Sequence, residues 1–237
     1  MITLRNISVK FGGKLAVRDV SAVASEGEFI ALVGPNGSGK SSLLKAMAGL
    51  IPHEGSTNLP SDRRDRARQI SYLAQNAVAP DDHKVRNIVA LGRTPHIGRL
   101  ARISKADQSA VEAAMEKCGI SNFADRTFKT LSGGEKTRVH LARTIATDAP
   151  LLLADEPVTA LDPYYQLSVM EVLRDASREG TTVIAALHDL ALARRFCDRV
   201  WVMSEGHLLA DGTFDKTLTP EILRNVFRIT RDGNIAR

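Results

Sequence analysis

The chain has 237 residues, of which 43% are hydrophobic and 25% charged, with a formal charge of +5 and two cysteines. These values exclude a disordered or fibrous polypeptide and a disulfide scaffold, and they suit one well-buried core with a small inserted subdomain rather than two large domains. No apolar run approaches the ~20 residues that cross a bilayer, so the expectation is a soluble chain that borrows any membrane role from a partner.

The start, Met1-Ile-Thr-Leu-Arg-Asn6, moves straight into an alternating pattern without the layout of a secretory signal, which predicts a cytoplasmic chain. Ile2, Leu4, Ile7, Val9 and Phe11 alternate with polar residues up to Gly12-Gly13, the pattern of an antiparallel hairpin. Phe29–Val33 is a short apolar strand, and Ser41–Gly49 has helical apolar spacing, giving strand, glycine loop and helix. A further strand is predicted at Gln69–Leu73.

Residues 61–105 hold ten basic residues (Arg63, Arg64, Arg66, Arg68, Lys84, Arg86, Arg93, Arg99, Arg102 and Lys105) against four Asp, a local charge of +6. One basic face is expected. It reads equally well as a solvated surface or as one facing anionic lipid; nucleic acid ranks below both and is not expected, because no aromatic residues are interleaved. Residues 81–148 read as an inserted helical subdomain. There Ser104 and Asp107 form a capping-box signature, and Val111, Ala114, Met115 and Cys118 share one helix face. Cys118 and Cys197 are far apart in helix-like contexts and are expected to be small buried hydrophobes.

Leu151–Ala154, Thr182–Leu187 and Val200–Met203 are apolar on both faces, as a buried parallel sheet requires. The fold class is therefore α/β, with residues 1–80 and 149–237 forming a core around the 81–148 insertion. The tail, with Pro220 at a helix start before Ile222, Leu223 and Val226, predicts a last amphipathic helix.

Between the 29–33 strand and its helix lies Gly34-Pro35-Asn36-Gly37-Ser38-Gly39-Lys40-Ser41, followed by Ser42, the G-x-x-x-x-G-K-S/T spacing in its proper context. Backbone amides in such a loop point inward at phosphates, and the helix end behind them adds positive potential. Lys40 is expected on the β- and γ-phosphates of ATP and the Ser41 hydroxyl on Mg2+. Leu151-Leu-Leu-Ala-Asp-Glu156 is an apolar strand ending in two acids; Asp155 is the expected metal ligand, and Glu156, pointing the other way, is free to act on a water. Ser132 and Glu135 form another capping box around bare Gly133-Gly134 amides, a second anion site at a helix start.

Leu131-Ser132-Gly133-Gly134-Glu135, just upstream of the acidic strand, resembles the signature motif of ATP-binding cassette (ABC) proteins, and with the phosphate loop the chain resembles that family throughout. The resemblance implies a P-loop NTPase core, mostly parallel with helices on both faces, an amino-terminal antiparallel β region and an inserted helical signature subdomain. It also implies a homodimer formed on ATP binding, in which the signature of each copy completes the ATP site of the other. Phe11 stands where an aromatic, more often tyrosine, stacks on adenine; a place in the core is its other reading. Gln75 resembles the glutamine that touches the metal and the attacking water and senses the permease. Asp162, in Ala160-Leu-Asp162, looks like the residue that communicates across the dimer, and His188 like the switch histidine on the γ-phosphate. Ala154 and Val158-Thr159 depart from common residues without removing a chemical group, so the resemblance implies a hydrolysing ATPase.

Ala90-Leu-Gly-Arg-Thr-Pro-His96 resembles the "GR-x-PH" segment of importer ATPases for ferric siderophores, haem and cobalamin, as does Leu218-Thr-Pro-Glu221. That the sequence stops at residue 237, where sugar-importer ATPases carry a regulatory domain, agrees. The implied partners are transmembrane permease subunits and, through them, a periplasmic or extracellular substrate-binding protein. The implied location is the cytoplasmic face of the plasma (inner) membrane. A soluble cassette ATPase acting in translation or DNA repair is the alternative.

Overall fold

The computed structural model describes residues 1–98 and 102–230. Strands β1 (Ile2–Phe11) and β2 (Lys14–Ala24) form the antiparallel hairpin that the alternation predicts, closing with Phe11 opposite Lys14. β3 (Phe29–Val33) is buried along its whole length and runs through the phosphate loop into α1 (Lys40–Met47). β4 (Glu54–Thr57) adds to the other edge of β1, giving the order β2-β1-β4. Its sequence, Glu-Gly-Ser-Thr, has no apolar residue, so no periodicity announces it.

α2 (Arg63–Gln69) is capped by Asp62, whose carboxylate accepts from the amides of Arg64 and Asp65, and leads into β5 (Ile70–Leu73). Gln69, expected in the strand, is the last helical residue. Three helices lie between this strand and the next: α3 (Val85–Ala90), α4 (Lys105–Lys117) and α5 (Gly133–Ile145). The chain then alternates through β6 (Leu151–Asp155), α6 (Pro163–Arg178), β7 (Thr182–Ala186), α7 (Leu190–Phe196), β8 (Arg199–Ser204) and β9 (His207–Gly212). The larger sheet has the order β5-β6-β7-β3-β8-β9, parallel except for β9, which is antiparallel to β8. The α/β expectation with an antiparallel amino-terminal region holds. The tail is shorter than a full amphipathic helix: Thr219 caps one turn at Pro220–Ile222, a wider turn follows at Leu223–Phe227, and only Leu223 is fully buried.

Side-chain alternation divides each central strand between two hydrophobic clusters. Phe29, Ala31, Val33, Leu152, Ala154, Val183 and Ala185 face the side carrying α3 to α7. Ile30, Leu32, Leu151, Leu153, Ile184 and Ala186 face α1 and the small sheet, where Trp201 is also buried. A sheet sandwiched in this way must be apolar on both faces, which is why these strands read as unbroken apolar runs. Cys118 is buried at the end of α4 and Cys197 half-buried at the end of α7; both are free thiols, and burial pushes Cys118 up to about 12.

Many basic residues of the 61–105 segment have partners within the fold. Lys84 and Arg86 pair with Asp125 at 3.2 and 2.8 Å, and Arg93 is buried against Asp107 at 2.9 Å. Arg64, Arg66 and Arg68 donate to the backbone carbonyls of Ile97, Pro60 and Pro95. Arg99 lies outside the described residues.

The Ser104 box forms as predicted, with Asp107 Oδ2 accepting from both the amide (3.1 Å) and the hydroxyl (2.6 Å) of Ser104. The Ser104 hydroxyl, then Arg93, hold the Asp107 carboxyl at about 2 against an ordinary 3.8. A carboxyl whose folded value is depressed stabilises fully above its unfolded value and loses that contribution as pH falls through the folded one. The urea midpoint of Asp107→Asn is therefore expected to lie below that of the native protein near neutral pH. The gap should close as pH falls from about 4 toward about 2; a gap constant across that range would remove the charge of Asp107 from the account.

Candidate functional site

β3, β7 and β6 are parallel neighbours, so their carboxyl-terminal ends open side by side, and the loops that follow them meet at one edge of the sheet. The phosphate loop follows β3. Gly39, its last residue, has φ 103°, and a Cβ there would stand 2.4 Å from the carbonyl oxygen of Ala16, so only glycine lets α1 start this close to β2. As the N-cap of α1 it offers no side chain, which leaves the first-turn amides directed at a ligand.

These amides border a cavity of about 630 Å³ lined by Phe11, Arg18, Gly37 to Ser42 and Glu156, among others. Lys40 is buried, and its Nζ donates to the carbonyls of Gly34 (2.9 Å) and Pro35 (3.1 Å). Burial lowers its pKa, against the opposing charges of Glu156 and Asp155. The Ser38 hydroxyl is buried with no hydrogen-bond partner among the described residues, an orphan donor inside the loop that suits an anion. Phe11 is 50% exposed on the cavity wall, so its core reading is corrected: the ring is surface, beside the phosphate loop.

Asp155 ends β6 and is 2% exposed. Its Oδ1 accepts from Ser41 Oγ at 2.7 Å and its Oδ2 from the Tyr72 hydroxyl at 3.0 Å. The paired oxygens of Ser41 and Asp155 are hard donors and fit a divalent cation bound with phosphate. At Glu156 the backbone turns to φ 53°, which sends this second acid away from the first. Expected to be free, Glu156 is instead held on both oxygens: His188 Nε2 meets Oε1 at 2.6 Å, while Gln75 Nε2 (2.6 Å) and Thr159 Oγ1 (3.1 Å) donate to Oε2. Burial alone would raise its pKa, but the His188 bond and charge, with Thr159 and Lys40, outweigh it and hold the carboxyl below its ordinary value. His188 is fixed by the next residue, Asp189, whose carboxylate caps α7 through the amides of Ala191 and Leu192.

The structure thus gathers Phe11, the 34–42 loop, Asp155, Glu156, Gln75 and His188. It does not bring the signature turn to the same cavity. Ser132 caps α5 with Glu135 as its reciprocal partner, as the spacing predicts, and Leu131 is buried beneath. Gly133 borders a second cavity of about 470 Å³ that reaches Gln75, Glu156 and Thr159 from the other side. Gly134 packs toward the Tyr165 ring, and Asp162 caps α6 by accepting from the Tyr165 amide at 3.1 Å. Sequence reasoning missed Tyr72 and Thr159. Tyr72 could have been suspected from its place in the strand three residues before Gln75, next to the acid-bearing strand.

The chain matches the ABC transporter family over residues 17–159. It is 38% identical over 234 residues to the cobalamin import ATP-binding protein BtuD of Halobacterium salinarum, covering 95% of this chain and 58% of that protein. The chain therefore spans little more than half the length of that relative. It is 40% identical over 216 residues to the hemin import ATP-binding protein HmuV of Nocardia farcinica, covering 88% and 74%. A dimeric ATP-binding cassette in a post-hydrolysis state, bound to ADP and Pi, superposes with a TM-score of 0.78 at 27% identity, covering 91% of this chain and 99% of that one.

Among the described residues, Tyr72 is one of two side-chain donors to the buried Asp155. Tyr72→Phe is expected to cost about 1.5–3 kcal/mol in stability, the range for a hydrogen bond to a charged group, measured by denaturant unfolding. A loss below about 0.5 kcal/mol, the level of a neutral surface change, would show that Ser41 alone suffices.

Proposed function

Because this chain belongs to the ABC transporter family, we propose that it is the ATP-binding and ATP-hydrolysing subunit of an importer and drives a separate membrane permease. The observation that carries this reading is the carboxylate of Glu156, held between Gln75 and His188 on the wall of the phosphate-loop cavity, with the Ser41–Asp155 pair close by.

In this reading Phe11 stacks on adenine, the amides from Gly34 to Gly39 and the first turn at Ser41 and Ser42 cradle the phosphates, and Lys40 moves from the loop carbonyls onto the β- and γ-oxygens. Ser41, Asp155 and Gln75 hold Mg2+, which neutralises charge on those oxygens when bound. Glu156 accepts a proton from the water whose oxygen attacks the γ-phosphorus as the bond to the ADP oxygen breaks. A carboxyl kept below its ordinary value is ionised at neutral pH and ready for that proton. His188 keeps one of its oxygens in place, and Gln75 and Thr159 hold the other.

The helix-start amides at Ser132–Glu135 lie outside the phosphate-loop cavity of their own chain, which favours a head-to-tail homodimer in which each signature turn completes the partner's site. Asp162 caps the helix whose Tyr165 ring packs toward Gly134 of that turn, and serves communication across the dimer. ATP binding closes the dimer, closure moves permease helices docked near Gln75, and hydrolysis resets the assembly. A groove of about 780 Å³ between the β5 strand and α5, rimmed by exposed Leu50, Val78 and Leu91, supports permease docking there. Among the described residues no helix is long and apolar enough to cross a membrane, so attachment to the cytoplasmic face of the plasma membrane runs through the permease.

The cargo reading is iron-siderophore, haem or cobalamin, supported by the relatives' names and by the Gly92–His96 segment, with a substrate-binding protein acting through the permease.

Glu156→Gln is expected to keep ATP affinity, to lose about 10²–10⁴ in turnover, and to accumulate an ATP-bound dimer on size-exclusion chromatography. Unchanged steady-state hydrolysis would remove Glu156 from the role of base. Ser132→Arg places bulk and charge in the signature turn, so hydrolysis should fall while nucleotide binding by the monomer persists in equilibrium titration. Loss of binding instead would mean that the turn acts within its own chain.

A further inference from the structure

One motif takes no part in the ATP site: Gly92-Arg93-Thr94-Pro95-His96. Its side chains converge on the carboxyl-terminal end of α5. Gly92 lies so close to this helix that a Cβ would stand 2.2 Å from the carbonyl oxygen of Arg143 and 3.2 Å from the Ala146 methyl. The buried Arg93 guanidinium donates through Nη1 to the carbonyls of Ala146 (2.9 Å) and Thr147 (3.4 Å), and through Nε to Asp107 (2.9 Å) in the capping box of α4. His96 Nε2 stands 2.7 Å from the Thr147 carbonyl, which can only accept, so Nε2 carries the proton. Carbonyls at a helix end lack intrahelical partners and carry partial negative charge, and a guanidinium with an imidazole N–H answers both needs. On its other side the turn is gripped by α2, with Arg68 donating to the Pro95 carbonyl (3.0 Å) and Arg64 to that of Ile97 (3.2 Å). The segment is a strut between α2 and the end of α5.

The other end of the same helix is the signature turn. α5 has 13 residues, so it is roughly 20 Å long, and Val139, Leu141 and Ala142 are buried along it, which makes it a packed rod. A tilt of about 3° at the clamped end displaces the far end by about 1 Å, enough to cost on the order of 10²-fold where phosphate geometry matters. We propose that Arg93 and His96 are positioning residues for the Ser132–Glu135 turn, setting its pose from the opposite end of α5. The inference rests on the reading that this turn grips the ATP of a second copy.

The test uses the full chain carrying Glu156→Gln, with MgATP, and compares dimer formation by sedimentation with monomer affinity for a fluorescent ATP analogue. Arg93→Ala would strand Asp107 and endanger folding, so His96 is the informative position. His96→Ala is expected to weaken dimerisation by about tenfold or more while monomer nucleotide affinity stays within about twofold. His96→Gln, whose amide N–H can reach the same carbonyl, should restore most of the loss. Equal dimerisation by His96→Ala and its parent overturns the proposal, as does an equal defect in the Ala and Gln variants. A parallel loss of nucleotide binding also overturns it, because a general structural defect would then explain the result. Should the Glu156→Gln parent itself stay monomeric, the dimer reading fails, and this inference fails with it.

Discussion

The buried carboxylate of Asp155 is the constraint on which the rest of the site depends. An ionised group at the end of a fully apolar strand is tolerated only if its oxygens are bonded, and the two hydroxyls that bond them come from different places. Ser41 brings in the first turn of α1 and with it the phosphate loop; Tyr72 brings in β5 and, three residues on, Gln75. Satisfying one acid therefore fixes how the loop, the strand edge and the following Glu156 stand relative to one another. Left-handed backbone at Glu156 separates the two acids, so one faces Ser41 and Tyr72 and the other faces His188 and Gln75.

Much of this was legible because its physical causes are local. The parallel core appears in the sequence as apolar runs, since both sheet faces are buried, and the capping boxes at Ser104 and Ser132 appear because a cap acts over three residues. The phosphate loop is legible for the same reason: its glycines, lysine and serine act within one turn. What was not legible depends on distance. β4 pairs with β1, and nothing in Glu54-Gly-Ser-Thr57 signals a strand. Tyr72 acquires its role from an acid 83 residues away, and only the folded register brings it to Asp155. Two partners of the +6 segment, Asp125 for Arg86 and the Ala146 carbonyl for Arg93, also lie far along the chain.

The helix α5 joins the two halves of the functional argument. Its amino end presents glycine amides under a Ser–Glu box, while its carboxyl end is held by a guanidinium and an imidazole. Both arrangements follow from the same macrodipole, positive where an anion is wanted and negative where cationic donors are supplied. Between them the helix shares a hydrophobic cluster with the sheet face that carries Leu152 and Ala154, so its position is referred to the strand bearing Asp155 and Glu156.

The division of the site between two surfaces then follows from geometry. A phosphate loop made of backbone amides and one lysine can neutralise the face of a triphosphate that it covers, but it leaves the opposite oxygens to water. A second set of amides of the same character stands at the start of α5, outside that cavity, and cannot serve its own loop without breaking the packing that fixes α5 to the sheet. That packing includes fully buried Val139, Leu141 and Ala142, and detaching side chains of this kind costs on the order of several kcal/mol. In the proposed dimer α5 stays in place and another copy's turn completes the site, at the cost of the translational and rotational freedom lost on association. On that reading the rigidity of the single chain is what calls for a second copy.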